Sequence, residues 1–126
     1  MEIIESDNAA YELHDNYVVV RFFEGGQIGI DEAVFIKTLL SEKFQQPFGW
    51  ISDRINSYSV DPTLVKDMLE DLSNFKCVSW VCYGSSIKSK ISTLYDFIPE
   101  GIETKVLHSI PEAIEWTEHI VESSRA

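Results

Sequence analysis

Between Asp53 and Asp61 the chain gathers Asp53, Arg54, Asn56, Ser57, Tyr58 and Ser59. A carboxylate, a guanidinium, an amide and hydroxyls packed this closely can recognise a partner or carry a phosphate. A serine near a helix N-terminus is favoured once phosphorylated, because free backbone N–H groups and the helix dipole attract negative charge. The plainer reading is structural: Ser59 or Asp61 caps the next helix, and Arg54 pairs with Asp53 or another carboxylate. A second polar stretch, Gly84-Ser85-Ser86-Ile87-Lys88-Ser89-Lys90, also follows an apolar run and opens a helical pattern. Ser85, Ser86 and Lys88 are therefore candidates for holding an anion, against the alternative of an ordinary solvated turn. Both stretches fall at the edge where α/β sheets place their ligands.

Signatures of catalysis are missing. The chain has no Gly-x-Gly-x-x-Gly, no phosphate-binding loop with its lysine and no Gly-x-Ser-x-Gly elbow. His14, His108 and His119 are scattered, with no cysteine or acidic partner at metal-ligand spacing. Cys82, near the end of a strand pattern, is the one thiol placed for a cysteine–histidine pair. We assign no catalytic residue, metal or cofactor, and expect a protein that is not an enzyme.

The elements that must carry these residues follow from the apolar period. Residues 9–14 and 17–23 read as two strands, with Asp15-Asn16 as a tight hairpin turn because both residues tolerate left-handed backbone. Residues 31–44 have helical spacing at Ala33, Ile36, Leu40 and Phe44, with Asp31 as cap. Residues 48–53 form a third strand. Asp61-Pro62 then opens a helix whose stripe is Leu64, Val65, Met68, Leu69 and Leu72. Residues 77–83 are apolar almost throughout, which predicts a central strand buried on both faces. A third helix carries Ile87, Ile91, Leu94 and Ile98. A fifth strand covers 104–108, and a last helix starts at Ser109-Ile110-Pro111. Its inner stripe is Ile110, Ala113, Ile114, Thr117, Ile120 and Val121. The class is α/β: a mixed five-stranded sheet with an N-terminal hairpin, then βα repeats, covered by four helices, in one domain spanning residues 1–126.

Leu94, Tyr95, Phe97 and Ile98 supply more apolar surface than one helical stripe uses. They are candidates for self-association, for an apolar ligand, or for extra core.

Composition narrows the partners. Ten basic residues stand against 21 acidic ones, a net charge of −11, so a nucleic acid or an anionic lipid surface would be repelled. No apolar stretch reaches the roughly 18 residues of a membrane span, and the N-terminus lacks signal-peptide character. Cys77 and Cys82 sit five apart in one strand pattern. That separates them by about 16 Å on opposite faces, too far for a disulfide. Two buried, reduced thiols and an acidic chain lead to a cytoplasmic expectation.

The order of elements and the segments Tyr17-Val18-Val19-Val20-Arg21-Phe22, Gly49-Trp50-Ile51-Ser52-Asp53-Arg54 and Asn56-Ser57-Tyr58-Ser59-Val60-Asp61-Pro62 resemble the STAS-like domains, including their SpoIIAA-like (STAS/SEC14) branch. The resemblance spans residues 9–122. STAS antagonists carry Asp-Ser-Ser-Gly or a close variant where this strand meets its helix, and a partner kinase phosphorylates that serine. Here Ser57 and Ser59 fall in the same loop without the glycines. The resemblance thus implies two non-enzymatic functions: a regulatory protein-interaction domain whose partner is an unknown protein or, as a homodimer, a second copy of the chain, or a small carrier or sensor of an apolar, lipid-like ligand in the SEC14 manner.

Overall fold

Alternation of β-branched and aromatic residues builds the centre of the molecule. In the computed structural model, which describes residues 1–56, 58–83 and 98–125, strands β1 (Glu2–Glu5), β2 (Ala9–Leu13), β3 (Tyr17–Phe22), β5 (Phe48–Asp53), β7 (Phe75–Val81) and β8 (Glu103–Leu107) form one sheet in the order β1-β2-β3-β5-β7-β8. β1, β2 and β3 are antiparallel neighbours; β3, β5, β7 and β8 run parallel. The short strands β4 (Gln27–Ile28) and β6 (Ser59–Val60) pair in parallel as a separate ribbon.

The period of two sorts the side chains into two cores. Val18, Val20, Phe22, Trp50, Val78 and Trp80 face helices α1 (Ile30–Lys43) and α2 (Pro62–Glu70), which contribute Ile36, Leu40 and Leu69. Val19, Ile51, Val81 and Leu107 face the other way, toward Ala113 of helix α3 (Ile110–Arg125). At Gly49 the α3 face comes so close that an added Cβ would stand 2.3 Å from the Thr117 methyl. Only glycine allows β5 and α3 to pack at that distance.

Several expectations need correction. The main sheet has six strands, not five, because Glu2–Glu5 adds an outer strand on β2 and the hairpin is therefore internal. Described residues contain three helices; the helix expected around Ile87 to Ile98 lies, apart from Ile98, outside them. The strand expected at 77–83 is β7, shifted to Phe75–Val81 and ending before the exposed Tyr83; it is buried on both faces as expected, but it stands one strand in from the edge. The Asp15-Asn16 connection uses no left-handed residue: no described non-glycine has positive φ, and the His14 N–H donates to the Tyr17 carbonyl at 2.9 Å. Asp31 does not cap α1. Gly29 is the N-cap and no side chain bonds there, while Asp31 and Glu32 occupy the first turn. Asp61 does cap α2, accepting from the Thr63 N–H at 3.0 Å.

Candidate functional site

Strand β5 ends at the C-terminal edge of four parallel strands, and its last residues split to opposite faces by simple alternation. Asp53 turns toward the α3 side. It is 3% exposed, and its Oδ2 accepts from Arg21 Nε at 3.0 Å and Nη2 at 2.8 Å. Arg54 turns the other way. The expected Asp53–Arg54 pair is therefore excluded by the strand itself, and Arg21, one strand over, takes the role. Tyr83, just past β7, lies beside the same carboxylate; burial, then the Asp53 carboxylate, push its phenol up to about 12.

Arg54 is held by its surroundings. Its N–H donates to the Val81 carbonyl at 3.1 Å. The guanidinium carbon sits 4.9 Å from the centre of the Tyr58 ring, a cation–π arrangement that holds the head group against the ring. Tyr58 in turn packs on Phe22, with ring centres 4.7 Å apart, and bonds to Ser52. Burial pushes the Tyr58 phenol up, against the opposing charge of Arg54 and the bond with Ser52. Asn56 closes the loop by donating its Nδ2 to the Phe22 carbonyl at 3.0 Å. Among the described residues the Arg54 guanidinium meets no carboxylate.

Ser52, Arg54 and Tyr58 line one side of an apolar cavity of about 70 Å³ beneath α1, α2 and the β4–β6 ribbon. Phe22, Trp50, Val78 and Trp80 form its sheet floor; Ala33, Ile36, Leu64, Met68 and Leu69 come from the helices; Ile28 and Val60 come from the ribbon. The described lining contains no histidine, carboxylate or cysteine. A water needs roughly 10–15 Å³ of such space, and an engineered cavity that takes benzene measures about 150 Å³. The site thus has room for a short apolar group and not for a whole lipid.

Other sequence candidates separate. Ser59 is exposed on β6, and Ser57 lies outside the described residues, as do Ser85, Ser86, Lys88, Leu94, Tyr95 and Phe97. Ile98 is half-buried, packs on the first core and lines the cavity. His14 lies 3.2 Å from Glu12 and stacks on Tyr17; His108 and His119 are exposed, and no metal-holding cluster exists among the described residues. Cys77 and Cys82 are both buried and not joined by a disulfide.

One polar centre escaped sequence reading. Glu32, 4% exposed, accepts from Tyr11 Oη at 2.5 Å, Ser6 Oγ at 2.8 and 2.9 Å, and Asn8 Nδ2 at 3.1 Å. It ties the β1–β2 turn to the first turn of α1. Burial, then the Glu32 carboxylate, push the Tyr11 phenol far above its ordinary value. A glutamate inside the 31–44 helical pattern was the only available signal, and nothing local distinguished it from a solvated one.

Compared with models of protein families and with characterised proteins, the chain matches none.

Proposed function

We propose that this protein is a non-catalytic binding domain that takes a small apolar ligand, as carrier or sensor, in the cavity between the sheet and helices α1 and α2. The observation that carries the reading is the cavity itself: an almost wholly apolar lining on the sheet face, with a few convergent polar groups where β5 ends, Ser52 and Arg54 among them, is the usual form of a ligand site. Ser52 has no base beside it in the described lining, which favours binding over nucleophilic chemistry. The STAS-like resemblance accommodates the same reading through its SEC14-type branch. No helix among the described residues is long and apolar enough to cross a membrane, and the proposed setting is cytoplasmic, with no cofactor.

The test is saturable binding of 1-pentanol, read from the fluorescence of Trp50 and Trp80 and from a rise in melting temperature. Ala33→Phe, which fills the cavity from α1, is expected to abolish both signals while the variant still melts cooperatively. Binding that survives the filling substitution, or none in the wild type, removes the cavity reading.

A second reading keeps the 53–61 loop as a surface for a protein partner, and one observation favours it. Ile55 is 59% exposed in that loop, and Ser59 is exposed as well. Ile55→Asp is expected to lose a loop-bound partner without lowering the melting temperature by more than a few degrees.

A further inference from the structure

The cavity has an end as well as a wall. Of its described lining, Arg54 is the only charged group, and it stands in a chain of net charge −11 without a carboxylate partner among the described residues. A cation at an apolar recess is costly unless it is paired. In so acidic a protein a partner would be easy to supply, and Asp53, its immediate neighbour, is instead committed to Arg21 on the other face. The guanidinium is also pre-positioned, by the Val81 carbonyl on its backbone and by the Tyr58 ring 4.9 Å from its carbon. A planar fork held in place beside an apolar recess matches a planar carboxylate with a short apolar tail.

Resting on the cavity reading above, we infer that the ligand is a short-chain monocarboxylate. Its carboxylate pairs with Arg54, with the Tyr58 and Ser52 hydroxyls close by, and its tail of about three to four carbons lies against Trp50 and Trp80. The free volume of about 70 Å³ sets the length, since a benzene-sized cavity is about twice as large. The long-range field of the protein opposes anions, so binding depends on this one local cation, and affinity for simple probes falls in the millimolar range.

Pentanoate and its neutral isostere pentanamide separate the head from the tail. Both are titrated at pH 7 and constant ionic strength, with tryptophan fluorescence as readout. Wild type is expected to prefer pentanoate by about tenfold or more, the usual value of a charge-assisted hydrogen bond lost or gained. Arg54→Gln is expected to equalise the two while retaining pentanamide binding. Arg54→Lys keeps the charge without the fork and serves if the glutamine variant does not fold; it is expected to lose most of the preference. Equal binding of the two probes by wild type overturns the carboxylate inference and leaves the cavity reading standing. Binding of neither probe overturns both.

Discussion

At the scale of single residues, the strongest interactions join positions far apart in sequence. Glu32 gathers donors from Ser6, Asn8 and Tyr11, and Arg21 on β3 reaches Asp53 on the neighbouring β5. Hydrogen bonds to a buried carboxylate are worth about 1.5–3 kcal/mol each way of counting, and removing the charge leaves the donors poorly matched. Glu32→Gln is therefore expected to lower stability by about 2 kcal/mol in denaturant unfolding, and Tyr11→Phe by about 1 kcal/mol. A neutral Glu32→Gln would mean that water already serves those donors. Cys77 offers a pH test. Burial pushes its thiol from 9.0 up to about 12. The folded chain then retains a proton that the unfolded chain releases above pH 9, so stability is intact below pH 9 and lost progressively toward pH 12. Cys77→Ala should flatten the part of the decline that starts near pH 9, while the tyrosine part, which grows toward pH 10 and above, stays as in wild type. An unchanged slope would assign the alkaline loss to other groups.

At the scale of elements, what could be read from the sequence was what local periodicity determines. Residues 48–53 were expected as a strand and form β5 with those bounds; the last helix and the Asp61 cap also follow from local pattern. Glu2–Glu5 is four residues with no alternation, and it becomes a strand only because β2 offers a free edge. The two-residue strands β4 and β6 exist only as each other's partner. The candidate loop was found by its polar density, but its division into an Asp53 side and an Arg54 side required the register of β3 and β7. Gly49 shows the same limit, since its reason is a helix 68 positions away at Thr117. Gly49→Ala is expected to cost about 1–3 kcal/mol through overpacking against the Thr117 methyl and Cys77 Sγ. Adding Thr117→Ser removes that methyl and should recover part of the loss, a coupling readable from a double-mutant cycle. Additive losses would place the strain elsewhere. Val81, fully buried against the α3 face, gives the harsher test. Val81→Asp should leave no cooperative unfolding transition, because an unpaired buried charge costs several kcal/mol of a total near 5–15.

At the scale of the whole molecule, charge sets the terms. The 21 acidic residues exceed the ten basic ones, so pairings such as Asp53 with Arg21, Asp71 with Lys37 and Glu70 with Lys66 leave a net surplus of negative charge. Helix α3 adds a row of exposed carboxylates at Glu112, Glu115 and Glu122. Exposed ion pairs contribute little, about 0–1 kcal/mol, so the surplus negative charge acts mainly as self-repulsion within the folded state. Raising sodium chloride from 10 to 150 mM shortens the screening length from about 30 to about 8 Å, which removes most of that repulsion and little of the close contact between Arg21 and the buried Asp53 carboxylate. The melting temperature is therefore expected to rise by a few degrees over this range at pH 7. A fall would show that surface ion pairs, not repulsion, dominate the electrostatic balance. The Glu32→Gln variant should rise in parallel with wild type, because the Glu32 contacts are short-range and buried, beyond the reach of salt.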